Sequence, residues 1–202
     1  MRITMEYEPL DKTEIYKELN ELSHSLDQLE ILTNIDSTNN YLCKKRHFKG
    51  RYAVLAEQQT AGRGRIGHQW RSPPGNLYLS LLCHHTGALH SLSQLYQLSG
   101  QAVLDALQAV GLEGAYLEPP NDIFYHNKKL GGILIELFPS DTASYDIIIG
   151  IGLNLYPLPE KEAAYIDQPW TALYRINPDL SKVRNKIAGF VLKFLLQAVN
   201  TL

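Results

Sequence analysis

The chain has 202 residues, a formal net charge of −2, and 45% apolar and 20% charged residues, enough to bury one sizeable core. The near-neutral balance argues against non-specific nucleic-acid binding, which wants a clearly basic face. No apolar run reaches the ~18 residues of a membrane span, the opening Met-Arg-Ile-Thr-Met-Glu-Tyr-Glu lacks the apolar core of a signal peptide, and Cys43 and Cys83 read as free thiols in a reducing compartment. A cytoplasmic protein without a membrane segment is the expectation.

In chain order, Ile15, Leu19, Leu22, Leu26 and Leu29 recur at helical spacing and predict a helix over 14–30, opened by Asp11 and Glu14 as a capping box. Asp36-Ser37-Thr38 suits the N-cap of a second helix running through Tyr41 and Leu42. Arg51–Glu57 reads as a strand entering a glycine-rich loop, and Asn76–Cys83 as a β-prone run leaving it. From Ser91 to Val110, Leu95, Leu98, Ala102, Ala106 and Val110 draw a helical stripe closed by Gly111. Asp122–Tyr125 and Ile133–Phe138 read as a hairpin with an extended loop at His126–Gly132. Asp146–Leu155 is nearly continuous β-former and is expected to be a central strand. A last helix is expected over Leu180–Val199. Strands and helices mix without strict βαβ alternation, which predicts an α+β fold with a mixed, largely antiparallel sheet flanked by helices.

The loop 61–70, Ala-Gly-Arg-Gly-Arg-Ile-Gly-His-Gln-Trp, carries the strongest chemical signal. Gly62, Gly64 and Gly67 free the backbone for turns closed to other residues. Arg63 and Arg65 bring permanent charges on planar forks suited to carboxylate and phosphate. Such a loop can close over an anion and exclude water, while Trp70 offers either a stacking face or a core aromatic. The letters also satisfy Gly-x-Gly-x-x-Gly, but Pro73-Pro74-Gly75 follows where a dinucleotide fingerprint needs a helix. His84, His85 and His90 lack partners at the spacing of a zinc site. On residues alone, Ser37 reads as a helix cap, Gln59 as a solvated loop amide and Pro119-Pro120-Asn121-Asp122 as a turn.

Four segments in order change that reading: Asp36-Ser37-Thr38-Asn39, Gln59 with Gly62–Trp70, Pro120-Asn121-Asp122 with Lys128–Glu136, and Gly150–Asn154. Together with Ser72-Pro73 and Gly75–Ser80 they resemble the biotin protein ligase family over roughly residues 30–155. The resemblance implies a catalytic domain similar to class II aminoacyl-tRNA synthetases. It implies condensation of biotin and ATP to biotinoyl-AMP and transfer of biotin to a lysine of a biotin carboxyl carrier domain of a biotin-dependent carboxylase. By resemblance Ser37, Thr38 and Asn39 line the biotin site, and Gln59 offers the donor and acceptor a urea requires. Arg63, Gly64 and Arg65 clamp biotin and its adenylate, Trp70 stacks on adenine, and Lys129 meets the carboxylate and developing phosphate charge. Asn121 and Asp122 form the family's Asn-Asp pair, Asp122 being the Mg²⁺–ATP contact. Gly132 allows close approach to the ligand and Asn154 is a further ligand contact. The catalytic set is thus Arg63, Arg65, Lys129 and Asp122.

The same resemblance sets expectations for organisation. Residues 1–30 are expected to be a helical extension and not a winged helix, 31–202 the catalytic domain, and a C-terminal SH3-like barrel is expected to be absent. DNA and membrane partners are not expected; homodimerisation is left open. One departure stands out: the family places Lys-Trp before Pro-Asn-Asp, where this chain has Glu118-Pro119. At about 6 Å and an effective dielectric of ~20, one unit pair is worth roughly 3 kcal/mol, so an anion at a triphosphate site is expected to weaken ATP use. Two alternatives follow: a biotin-binding or regulatory homologue with impaired adenylation, and a lipoate ligase or octanoyl transferase on the related fold, the transferase using Cys83 or Cys43 as nucleophile.

Overall fold

The computed structural model describes residues 7–87, 94–141 and 144–201. His90 and the Ser91 start of the third expected helix lie outside them. Helix α1 (Lys12–Leu19) is capped by Asp11, whose carboxylate accepts from the Glu14 N–H at 3.0 Å. It ends at Asn20, which sits at φ 48°, and a 3₁₀ turn over Asn20–Ser25 leads into strand β1 (Gln28–Ile35). The helix expected over 14–30 is therefore too long. Leu26 and Leu29 do reach the core, but from a turn and a strand, because β1 pairs in parallel with β2 (Tyr52–Gln59). A long-range ladder overrides the local period there.

Helix α2 (Thr38–Cys43) follows with Ser37 as its N-cap, as expected. Strand β3 (Leu77–Thr86) and helix α3 (Leu95–Ala109) come next, the helix closing at Gly111, which sits at φ 92°. Strand β4 (Ala115–Glu118), unassigned from sequence, forms the sheet edge beside β5 (Asp122–Tyr125). The extended loop expected before Ile133 is also corrected. β6 (Lys128–Asp141) begins directly after a two-residue turn in which His126 and Asn127 sit at φ 46° and 60°, the left-handed geometry that matches strand twist in a tight hairpin. Strand β7 (Ser144–Leu153), three short helices α4 (Glu160–Ala163), α5 (Leu173–Ile176) and α6 (Pro178–Ser181), and the long α7 (Arg184–Val199) complete the chain.

The seven strands order as β1-β2-β3-β7-β6-β5-β4, antiparallel except for β1 with β2, and β7 is central as its sequence suggests. The two faces separate by the period of two along each strand. Leu77, Leu79, Leu81 and Cys83 of β3, and Ile147, Ile149, Ile151 and Leu153 of β7, join the large core under α1, α3 and α7. The opposite face carries Tyr78, Ser80, Gly150 and Gly152, with α2 covering its Tyr52, Val54, Leu82 and Ile148 end and reaching Ser80 and Gly150.

A buried charge pins the strands that carry this open face. Arg184 of α7 has no exposed surface; it donates to the Asn76 carbonyl at 2.7 and 3.2 Å and pairs with Glu57 of β2 at 2.5 Å. Asn76 Oδ1 in turn accepts from the Leu155 and Tyr156 N–H groups, so the ends of β2, β3 and β7 share one network.

Helix α1 belongs to this same body. At Gly189 of α7 an added Cβ would lie 2.7 Å from the Glu18 Cβ and 2.9 Å from the Ile15 carbonyl. Gly189→Ala is therefore expected to push α1 off α7 and cost about 1–3 kcal/mol of stability in urea unfolding.

Candidate functional site

A cavity of about 510 Å³ opens on the sheet face away from the long helices, lined by α2, the arginine loop, β5, β6, β7 and residues 158–170. Its floor is paved with residues that have little or no side chain. Asn39 lies over Gly150, where any Cβ would strike its Oδ1. The Trp70 ring lies over Gly152 and Gly132; a Cβ at Gly152 would come within 2.6 Å of the indole, and one at Gly132 within 3.3 Å. These glycines are first of all room for Trp70 and Asn39. The β5–β6 pairing shifts register next to Gly131, with Leu130 as the extra residue of a bulge.

The polar end of the cavity is built at the start of α2. Ser37 caps the helix, its Oγ accepting from the Asn40 N–H at 3.4 Å. Thr38 donates from N and Oγ1 to Gln59 Oε1 at 2.8 and 3.1 Å, and Gln59 Nε2 donates to Ser72 Oγ at 2.9 Å. The Gln59 carbonyl is thus spent inside the protein, leaving one amide N–H; its first role is to hold Thr38. Ser80 Oγ lies 2.7 Å from Thr38 Oγ1 and 2.6 Å from Asn39 Oδ1, and its single proton serves one of them at a time. Ser80 is fully buried and went unread as a site residue, although a serine inside Leu-Tyr-Leu-Ser-Leu-Leu is itself a signal.

The arginine loop folds as a short hairpin. Gly64 N–H donates to the His68 carbonyl at 2.7 Å, and Trp70 N–H to the Gly62 carbonyl at 2.9 Å. Gly62 is tight: a Cβ there would come within 2.5 Å of Ser72 Oγ. At the tip Ile66 is 89% exposed and sits at φ 52°, a region that a β-branched residue rarely adopts. The two arginines diverge. Arg63 pairs with Glu136 of β6 at 2.6 Å and donates to Asn40 Oδ1 at 2.5 Å. Among the described residues Arg65 meets only a neutral group, Asn121 Oδ1 at 2.9 Å, with its guanidinium 5.9 Å from the centre of the Tyr96 ring. Asn121 is held in place by a reciprocal pair of bonds with Ile133.

Lys129 Nζ and Asp122 Oδ2 form an ion pair of 2.7 Å at the third corner, and Nζ lies 5.6 Å from the centre of a Trp70 ring. Among the described residues Asp122 Oδ1 and Trp70 Nε1 are buried without a protein partner, which in a cavity wall leaves one acceptor and one donor for a ligand. Asn154 lines the cavity, but its Nδ2 is committed to the Thr171 carbonyl at 3.1 Å and its backbone N–H to Leu130 at 2.9 Å. It shapes the wall. Glu118 is exposed and does not line the cavity; it stands on the β4 edge opposite Asp122, where solvent screens its charge.

The structure thus brings Ser37, Thr38, Asn39, Gln59, Arg63, Gly64, Arg65, Trp70, Asn121, Asp122, Lys129, Gly132 and Asn154 to one cavity. Sequence reasoning missed its far wall, Leu158 and Tyr165–Trp170, together with Arg71, whose guanidinium lies 4.8 Å from the Tyr165 ring centre. Trp170 reaches the site because residues 169–171 run as an irregular ladder beside Lys129, a pairing with no local sequence signature.

Comparison with known proteins agrees with this geometry. Residues 32–154 match the biotin/lipoate A/B protein ligase family. The chain is 33% identical over 171 residues to the bifunctional ligase/repressor BirA of Escherichia coli, covering 84% of this chain and 52% of that protein. It is 30% identical over 198 residues to a biotin–[acetyl-CoA-carboxylase] ligase of Mycobacterium tuberculosis, covering 93% and 70%. The chain spans about half the length of the first of these curated relatives. Among solved structures, the biotin protein ligase of Leishmania major in complex with biotinyl-5-AMP superposes with a TM-score of 0.71 at 28% identity, covering 87% of this chain and 76% of that one. The mixed sheet flanked by helices is the class II aminoacyl-tRNA synthetase-like fold of these ligases. The chain therefore belongs to the biotin/lipoate A/B protein ligase family and carries a biotin protein ligase catalytic domain.

Proposed function

We propose that this chain is an ATP-dependent biotin protein ligase that makes biotinoyl-AMP and passes biotin to a lysine of a biotin carboxyl carrier domain. One observation carries this reading: a buried polar floor suited to a neutral urea and a cationic rim suited to an acyl phosphate meet in one cavity large enough for both. The Leishmania major relative, solved with biotinyl-5-AMP, supports it.

In this reading the ureido ring sits against Ser37, Thr38 and Asn39, with the free Gln59 N–H as a further donor. The biotin carboxylate oxygen attacks the α-phosphorus of ATP, the P–O bond to pyrophosphate breaks, and pyrophosphate leaves. The carrier lysine, as a free amine, then attacks the acyl carbon; an amide forms and AMP departs. No protein nucleophile is needed, and catalysis rests on positioning and charge stabilisation. Arg65 is the guanidinium that meets the anionic reacting centre, since Arg63 is neutralised by Glu136. Lys129 supports the carboxyl–phosphoryl end, and Trp70 supplies a stacking face for adenine and an indole N–H. The partnerless Asp122 Oδ1 suits one carboxylate contact to Mg²⁺, an ion that keeps its remaining ligands from water and phosphates. When bound, that ion would offset phosphate charge.

The rival that uses a cysteine acyl-enzyme has no support in the geometry. Cys83 is buried in the large core, and burial pushes its thiol up to about 12. Cys43 packs on the small cluster beside α2, and burial raises its thiol too. Neither lines the cavity. The regulatory rival rested in part on Glu118, and its exposed position outside the cavity weakens that ground.

Biotin-dependent ATP–pyrophosphate exchange tests the proposal: exchange is expected, and biotin binding without exchange would overturn it. Arg65→Ala is expected to lower exchange about a hundredfold. Glu118→Lys, outside the cavity, is expected to change it by less than about threefold. Converting both cysteines to serine is expected to leave kcat/KM within about twofold while Cys83→Ser costs roughly 1–3 kcal/mol in urea unfolding.

A further inference from the structure

Glu136 is the acid of the β6 run Ile-Leu-Ile-Glu-Leu, and its side chain is only 17% exposed. Its two oxygens face different parts of the site. Oε1 takes Arg63 Nη2 of the loop at 2.6 Å, and Oε2 takes Asn39 Nδ2 of the cavity floor at 2.9 Å, with Arg63 Nη1 at 3.3 Å. Asn39 is itself locked between Ser80 and Gly150. One carboxylate therefore ties the arginine loop to the wall of the pocket it covers.

The loop has need of such a tie. Its tip holds Ile66 in the left-handed region, which costs a β-branched residue about 1–2 kcal/mol, and that side chain is exposed and gains no packing. The glycines on either side, Gly64 and Gly67, add conformational freedom that folding must remove. Against this stand three backbone hydrogen bonds within the hairpin, the contacts of Arg65 to Asn121 and of Arg63 to Asn40, both neutral, and the charge-assisted fork of Arg63 on Glu136.

We propose that Glu136 is a positioning residue: it is the strut through which the floor residue Asn39 holds the arginine loop shut, with Arg63 as the loop's anchor and Arg65 left for the ligand. Its consequence for retaining biotinoyl-AMP rests on the proposed ligase activity; its consequence for the loop does not.

Hydrogen exchange in the ligand-free full chain reads the strut directly, at the bonded amides of Gly64, His68 and Trp70. Glu136→Gln keeps the volume and removes the charge. Exchange at these amides is expected to rise roughly fivefold, with the β7 amides 147–151 unchanged as a control for global stability. Arg63→Ala, which also gives up the Asn40 contact, is expected to give at least that rise, and the double variant no more than Arg63→Ala alone. Biotinoyl-AMP should leave Glu136→Gln about tenfold faster, while biotin affinity moves by less than about threefold. Unchanged loop exchange, or additive effects of the two substitutions, overturns the strut. Should Glu136→Gln lose its fold, the β7 amides will report it, and Arg63→Ala decides from the other end of the pair. If the native chain forms no biotinoyl-AMP, the ligase reading falls while the exchange comparison still decides this one.

Discussion

Everything at this site depends on three glycines on one sheet face, Gly132 of β6 and Gly150 and Gly152 of β7. In a central strand a Cβ on that face would project into the space where Asn39 and Trp70 lie. Gly150 lets α2 settle onto the sheet, so that Ser80 can reach both Thr38 and Asn39. Gly152 and Gly132 let the indole lie flat, and the loop that carries it is drawn over the cavity. On the opposite face of β7, Ile147, Ile149, Ile151 and Leu153 anchor the strand to the core beneath the long helices. Period-two alternation thus makes one strand both a load-carrying core element and the floor of a cavity.

Charge is distributed with similar economy. Arg63 and Lys129 are each held by a carboxylate, Glu136 and Asp122, so their geometry is set before any ligand arrives. Arg65 is held by a neutral amide oxygen. In a cleft of low dielectric, a paired guanidinium attracts an incoming anion far less than one facing a carbonyl. Two arginines that look equivalent in Gly-Arg-Gly-Arg therefore take different partners, one a carboxylate and the other a neutral amide.

Much of the fold was legible in the chain. The helix at Thr38–Cys43, the strand at Asp122–Tyr125 and the central position of β7 follow from capping residues and β-branched runs. The failures share a cause. The helix expected over 14–30 stops at Leu19 because residues 28–35 find a ladder partner in β2. Strand β4 is too short and too mixed to stand out, and exists because β5 presents an edge. At the site, the motif residues converge as their order implies, but Gln59 and Asn154 are largely committed to protein partners, and the wall at 165–170 carried no local signal.

By itself the sequence determined the residue types that the chemistry needs, the aliphatic strands of the core, and the turns that glycine, asparagine and proline impose, because these follow from local sterics and burial. Only the tertiary structure decided which partner each polar group takes. Glu136 reaches both Arg63 and Asn39, Gln59 turns inward to Thr38, and Glu118 stays outside the cavity. Those outcomes depend on distances between segments far apart in the chain, and no local rule of spacing contains them.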